Sequence, residues 1–358
     1  MRRLARTVLL AAVVADALLS LASPAAADIS SRRVVGGLDQ PVAFTFDPDG
    51  NIWYVGKSSG EVRVVDRETD DDSLFVDVPG VNSEGERGLL GIALHPRFPA
   101  KPFVYVYATR DVSGALKNQV LRYRDDAGSG TDMTVVFSAN ASDSPYHNGG
   151  RIAFGADGKL YIVVGDGHDS SNAQDRGDDR GKILRVAPNG DIPSTNPFDS
   201  RVWAYGIRNS FGFGFDPTNG RLWETENGPE CNDEINLIRK GGNYGWGPNE
   251  TCSGSAPQNT NQDGRRRVLP EVVYENTIAV TGIAFCDDCG LGDRNDGAAF
   301  HGSANDGHIT RLLVNARRNG VQRHSVVLDH GSSTLSVEVG PGGRIYFSDF
   351  SGIYVLTR

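Results

Sequence analysis

The chain has 358 residues and a formal net charge of −9, from 36 Lys and Arg against 45 Asp and Glu. That balance argues against a nucleic-acid grip, which draws on clustered Lys and Arg, and leaves acidic clusters suited to calcium. With 39% hydrophobic and 23% charged residues the chain is not disordered, and its 44 glycines, well above a usual share of ~7%, favour short strands and tight turns over long helices.

The first predicted element is an address. Arg2, Arg3 and Arg6 precede the apolar run Val8–Leu21, and small residues lead to Ala25, Ala26 and Ala27. This order predicts a secretory signal over residues 1–27, cut after Ala27, and a mature chain over 28–358. The rival is a membrane anchor, but Asp16 interrupts the run, which falls short of the ~20 apolar residues a span needs. The expected destination is secretion or the cell envelope, with no membrane span. Export makes disulfides the favoured reading of Cys231, Cys252, Cys286 and Cys289. Of the possible pairings we favour Cys231 with Cys252 and Cys286 with Cys289. A four-cysteine zinc site is the rival, and only one close cysteine pair is present for it.

One phrase then recurs along the chain: an alternating apolar strand, an Asp/Gly turn, and a second strand rich in aromatic or β-branched residues. Copies start at Ala43, Gly91, Arg151, Gly212, Gly282 and Ser336, the fifth being degenerate. The Asp-Gly and Gly-Gly pairs supply the positive φ angles that hairpin turns need. Third strands are expected at Glu61–Val65, Gln119–Tyr123, Lys182–Val186, Glu234–Ile238 and His308–Leu313. Repeating β units of this length read as propeller blades, so the prediction is an all-β, six-bladed β-propeller of four-stranded antiparallel blades, forming one domain. The early strand Arg33–Gly37 is expected to pair with the last blade and close the ring. A β-sandwich is the alternative, and it would not need the same phrase six times.

Three stretches carry candidate chemistry. The first is Tyr146–Arg151, just before a blade strand, with His147 able to take a proton from a hydroxyl. Asp166 ends the paired strand, where a carboxylate would orient the imidazole and favour its charged form. Taken alone, a Gly-rich His turn is more often structural. The second is Gly206–Asn209, where Arg208 offers a planar charged fork and Asn209 an amide; its bland reading is a surface ion pair. The third is the acidic run Glu224–Leu237 followed by Gly241–Trp246. Its carboxylates and turn carbonyls are the oxygen ligands that hard cations take, without the spacing of a helix–loop–helix calcium loop. A solvated acidic loop is the equal alternative.

Together these phrases resemble the glucose/sorbosone dehydrogenase family, which includes soluble quinoprotein glucose and aldose sugar dehydrogenases. The matching words, in family order, include Gly85–Gly91 with His95-Pro96, His147–Arg151, Gly165-Asp166, Gly181–Arg185, Ile192–Pro197, Arg208-Asn209, Glu226–Pro229, Asp233–Leu237 and Gly241–Trp246. The resemblance implies a six-bladed propeller that binds pyrroloquinoline quinone (PQQ) over its axis with calcium beside it. It implies that His147 is the base that removes the sugar's anomeric hydroxyl proton, with Asp166 orienting it, while hydride passes to the quinone and a lactone forms. Arg208 and Asn209 would contact the quinone, and Glu86 falls where the glucose enzymes carry a cofactor-touching Gln. The carbonyls of Gly228 and Pro229 would bind the cofactor calcium, and Glu234 and Tyr244 would lie at a second, structural calcium. An external electron acceptor would be the other partner.

The sequence also departs from the family. Where the glucose enzymes carry an Arg-x-Arg pair before the final blade, this chain reads Ser332–Ser336, with no arginine. Where they carry a cofactor lysine in the fifth blade, it reads Ala299–Gly307, with His301 and no lysine. Arg294 and Arg311 are candidates to compensate. The leading expectation is therefore a PQQ-dependent sugar or alcohol dehydrogenase. The alternatives are a secreted binding propeller that has lost the cofactor, and a calcium-dependent lactonase or other hydrolase on the same scaffold.

Overall fold

A computed structural model describes residues 29–249, 252, 263 and 266–358; the expected signal at 1–27 lies outside them. The chain forms six four-stranded antiparallel sheets arranged as the blades of a propeller. The innermost strands are Pro41–Phe46, Leu89–Leu94, Ile152–Phe154, Ser210–Phe215, Val280–Phe285 and Val337–Val339. Five blades are built in simple sequence order. The sixth takes its outer strand, Ser30–Gly36, from the start of the described chain. There Arg33 pairs with Tyr354 and Val35 with Ile353, which closes the ring as the early strand predicted.

The recurring Asp has a local job. In the first blade Asp47 Oδ1 accepts the Asp49 and Asn51 amides at 3.0 and 2.9 Å, and its Oδ2 accepts Trp53 Nε1 at 3.0 Å. One carboxylate thus shapes the turn and anchors the aromatic residue of the next strand. Asp157 repeats the arrangement in the third blade, accepting the Lys159 amide and the Tyr161 hydroxyl. The degenerate fifth copy replaces this device with a longer loop pinned by the Cys286–Cys289 disulfide, and Cys231–Cys252 forms the other pair. Both favoured pairings are present.

Apolar layers between neighbouring blades hold the ring. Between the first and second blades, Trp53 packs on Phe75 and Phe98, with ring centroids 4.9 and 5.6 Å apart, within a cluster that also holds Val55, Leu89, Val104 and Leu121. Truncating such an aromatic costs about 3–5 kcal/mol. The second blade departs from the sequence reading in length. Its outer strands, Phe103–Val112, Ala115–Asp126 and Ser129–Asn140, run 10 to 12 residues. The fifth blade's last strand, Val321–Asp329, was not read because alternation is weak there: the segment is nowhere buried. No helix among the described residues is long and apolar enough to cross a membrane.

Candidate functional site

The loops that enter the innermost strands gather at one mouth of the ring. A cavity of about 310 Å³ opens there, bordered by Lys57, Glu86, Leu90, Arg151, Phe211 and Leu335 among others. That volume falls within the ~300–1,000 Å³ of small-molecule sites. Arg151, from the third blade, makes a 3.2 Å ion pair with Glu338 of the sixth, so the floor joins opposite sides of the ring.

Of the sequence-predicted site residues Glu86 borders this cavity, and His147 and Asn209 are joined to it through hydrogen bonds to Glu86; Asp166, Arg208, Gly228, Pro229, Glu234 and Tyr244 are not among the cavity's bordering residues. His147 Nδ1 lies 2.6 Å from Asp166 Oδ1, and both side chains are buried. A carboxylate is an acceptor, so Nδ1 carries the ring proton and Nε2 is left with the lone pair a base requires. Asp166 is held from further sides: its Oδ1 accepts the His168 amide at 2.7 Å and its Oδ2 accepts Trp246 Nε1 at 2.6 Å. The backbone enforces the approach. A Cβ on Gly165 would sit 2.4 Å from the His147 carbonyl oxygen and 3.1 Å from that of Arg208, so only glycine lets these three strand ends meet. His147 itself takes a positive φ of 59°, outside the range favoured by side-chain-bearing residues.

Glu86 links the first halves of the site. Its Oε2 accepts the His147 amide at 2.7 Å and Asn209 Nδ2 at 3.1 Å. Arg208 donates from Nη1 to the Asn227 carbonyl at 2.8 Å and lies over the Trp246 ring, 5.2 Å from its centroid. Burial lowers the pKa of its guanidinium, with Asp166, Glu226 and Glu86 acting in the opposite direction. Arg208 Nε and Asn209 Oδ1 are buried without a hydrogen-bond partner among the described residues. An orphaned buried donor beside an orphaned acceptor is costly unless a ligand answers both.

The acidic stretch divides into two parts. Asp233 Oδ1 accepts the Gly228 amide at 2.9 Å, and its Oδ2 accepts the amides of Ile278 and Ala279 at 2.8 and 2.7 Å. Asp233 is thereby committed to the loop, while among the described residues no donor is paired with the Gly228 or Pro229 carbonyl. Glu234 goes elsewhere. It lies with Glu224 and Glu226 around a single amide, Asn236 Nδ2, at 3.1–3.3 Å, all four residues being buried. Burial pushes the Glu224 and Glu226 pKa values up, and the neighbouring carboxylates push Glu226 further. Tyr244 donates its hydroxyl to the Leu237 carbonyl and accepts the Arg239 amide, both at 2.7 Å. Its phenol is therefore occupied, leaving the carbonyl as its available ligand. Among the described residues no group of three or more His, Cys, Asp or Glu side chains is arranged to hold a metal ion.

The compensating cations do not come from the expected places. Arg311 bonds Asn295 and Ser325, and neither it nor Arg294 borders the cavity. His301 is buried against Tyr274, whose hydroxyl lies 2.7 Å from its Nε2, and burial lowers its pKa to about 4. The fifth- and sixth-blade wall offers Ala279, Thr281, Ala304, Leu335 and Phe350 instead. Sequence reasoning missed Lys57 and Trp246. Trp246 stands within a quoted phrase, but its contact with Asp166 spans 80 residues and leaves no local signal. Lys57 follows the second strand of the first blade, and that strand end is the one clue that it reaches the mouth.

Comparison with known proteins shows the family and agrees with the propeller fold. The glucose/sorbosone dehydrogenase family model matches residues 38–352. Aldose sugar dehydrogenase from Escherichia coli is 30% identical, over 86% of each chain. The PQQ-bound aldose sugar dehydrogenase from Streptomyces coelicolor superposes with a TM-score of 0.80 at 27% identity, over 94% of this chain and 99% of that one. Human Hedgehog-interacting protein is 30% identical, over 49% of this chain and 30% of its own length. The chain belongs to the glucose/sorbosone dehydrogenase family.

Proposed function

We propose that the protein is a PQQ-dependent oxidoreductase that oxidises an aldose or related alcohol at a hydroxyl-bearing carbon, exported by its first 27 residues. The observation that carries the reading is the buried 2.6 Å His147–Asp166 pair, whose His147 amide is held by Glu86, a residue that borders a ligand-sized cavity. The residues fit the cofactor: the orphaned Arg208 Nε is a charged donor that suits a flat group bearing carbonyls and carboxylates. The unclaimed carbonyls of Gly228 and Pro229 suit calcium, which would act as a Lewis acid. Glu86 would border the quinone, and Glu234 with the Tyr244 carbonyl would serve a structural calcium.

When bound, the quinone supplies the acceptor for the hydride that leaves the substrate carbon. The protein's share is proton chemistry and positioning. His147 Nε2 takes the hydroxyl proton as the C–O bond becomes a carbonyl, giving a lactone from an aldose. Asp166 stabilises the imidazolium formed, and Trp246 and the His168 amide keep that carboxylate aimed at Nδ1. Glu86 fixes the His147 backbone from the other side. An external acceptor then takes the electrons.

A dye-linked assay with PQQ and calcium tests this: aldose oxidation should require both additions and fail with His147→Ala. Absence of any dye reduction across aldoses and simple alcohols would refute the reading. A second reading, a binding propeller without the cofactor, is favoured by the neutral fifth- and sixth-blade wall and by the half-chain likeness to Hedgehog-interacting protein.

A further inference from the structure

We infer that Lys57 is an anion anchor of the axial cavity, holding a carboxylate of the bound quinone from the first blade, next to the sixth-blade wall that lacks the arginines. This rests on the quinone reading above and deepens it. Lys57 borders the cavity with Glu86, Leu90, Leu335 and Phe350. Its ammonium has three donors, yet its one hydrogen bond among the described residues is a 3.3 Å contact to the Ser83 carbonyl. No carboxylate of the described residues is in ion-pair contact with it. Burial lowers the pKa of the Lys57 ammonium, with Glu86 acting in the opposite direction, and Glu86 Oε2 is already taken by the His147 amide and Asn209. A half-buried ammonium with spare donors, on a wall that is mainly apolar, is best satisfied by an anionic ligand group.

The position is built rather than incidental. The Lys57 amide donates to the Gln40 carbonyl at 3.2 Å, and its carbonyl accepts the Leu89 amide at 3.1 Å, which clamps the backbone between the first two blades. The stem is seated on a glycine. A Cβ on Gly88, which has a φ of +145°, would lie 2.6 Å from the Lys57 carbonyl oxygen and 2.8 Å from its Cγ. The other cavity-bordering cation, Arg151, is committed to Glu338 and the Phe211 carbonyl. Lys57 is thus the cation on this wall with donors to spare.

Calorimetric titration of the metal-stripped, calcium-reloaded protein with PQQ and with its trimethyl ester tests the role without relying on turnover. The wild type should bind PQQ at least ~10-fold more tightly than the ester. Lys57→Ala should lose at least ~10-fold in PQQ affinity, leave ester affinity unchanged, and thereby shrink the difference, while Lys57→Arg retains most of it. Equal binding of acid and ester by the wild type, a measurement that needs no variant, would overturn the anchor. So would equal weakening of both ligands in Lys57→Ala. Failure of the wild type to bind PQQ at all would remove the quinone reading and this inference together. Tight wild-type binding with an unaffected Lys57→Ala would remove only the inference.

Discussion

The two sides of the cavity mouth differ in kind. On the side of the first four blades, Lys57 and Glu86 border the cavity, and Glu86, His147, Asp166 and Asn209 form a linked polar network in which Glu86 and Asp166 each accept from several donors. On the side of the fifth and sixth blades the wall is Ala279, Thr281, Ala304, Leu335 and Phe350, without a formal charge. The two sides share one architecture, so the contrast belongs to the loops. It separates the proton chemistry, concentrated on the polar side, from the grip on an anionic ligand, which this chain must draw from that same side.

That contrast can be broken at several points. The largest effect is expected from His147→Ala, which should lower kcat by ~100- to 10,000-fold in a protein that still binds PQQ, as loss of a general base does; steady-state kinetics beside a binding titration checks it. On the neutral side, His301 should contribute an acid-dependent loss of stability, opposed over the same range by the buried Glu224 and Glu226, whose raised pKa values favour the folded state as pH falls. Its folded pKa, about 4, lies below the usual 6.5, so the unfolded chain takes the proton first as the pH falls. Stability is therefore lost between pH 6.5 and 4, by about 3 kcal/mol for this one group, and is unaffected by it above pH 6.5. Denaturant titrations across that range should show the wild type losing about 3 kcal/mol relative to His301→Gln as the pH falls from 6.5 to 4, because the carboxylates act equally in both proteins.

Arg208→Ala should weaken PQQ about 10- to 100-fold, because it removes a charge-assisted donor whose Nε has no other partner among the described residues. The smallest change sharpens the comparison by supplying what the neutral side lacks. Ser333 donates to the Ala304 carbonyl at 2.7 Å, beside the cavity wall. Ser333→Arg should tighten PQQ by about 10-fold, one charge-assisted bond. An unchanged affinity would mean that the ligand makes no use of that wall.

Legibility in the sequence follows the range of the cause. The six blades were readable because Asp47 and Asp157 act within their own turns, binding amides two to four residues away. His147 and Asp166 were readable because they end the strands of one hairpin. The disulfides followed from export and spacing. Lys57 was not readable: its meaning comes from Gly88 and Leu89 on the second blade and from the apolar wall that continues onto the sixth. Arg294 and Arg311 were candidates by charge alone, and neither borders the cavity, which charge in a sequence does not decide. Tyr244 shows what the sequence leaves open, because its phenol is committed to Leu237 and Arg239 and only its carbonyl is left to serve a cation.

The most direct test of the account is a titration of the purified, metal-stripped protein with PQQ, with and without calcium, followed by absorbance and calorimetry. The account predicts tight, one-to-one, calcium-dependent binding. No binding at high cofactor concentration, with calcium present and the protein folded, would contradict it and leave the ring as a scaffold for another ligand.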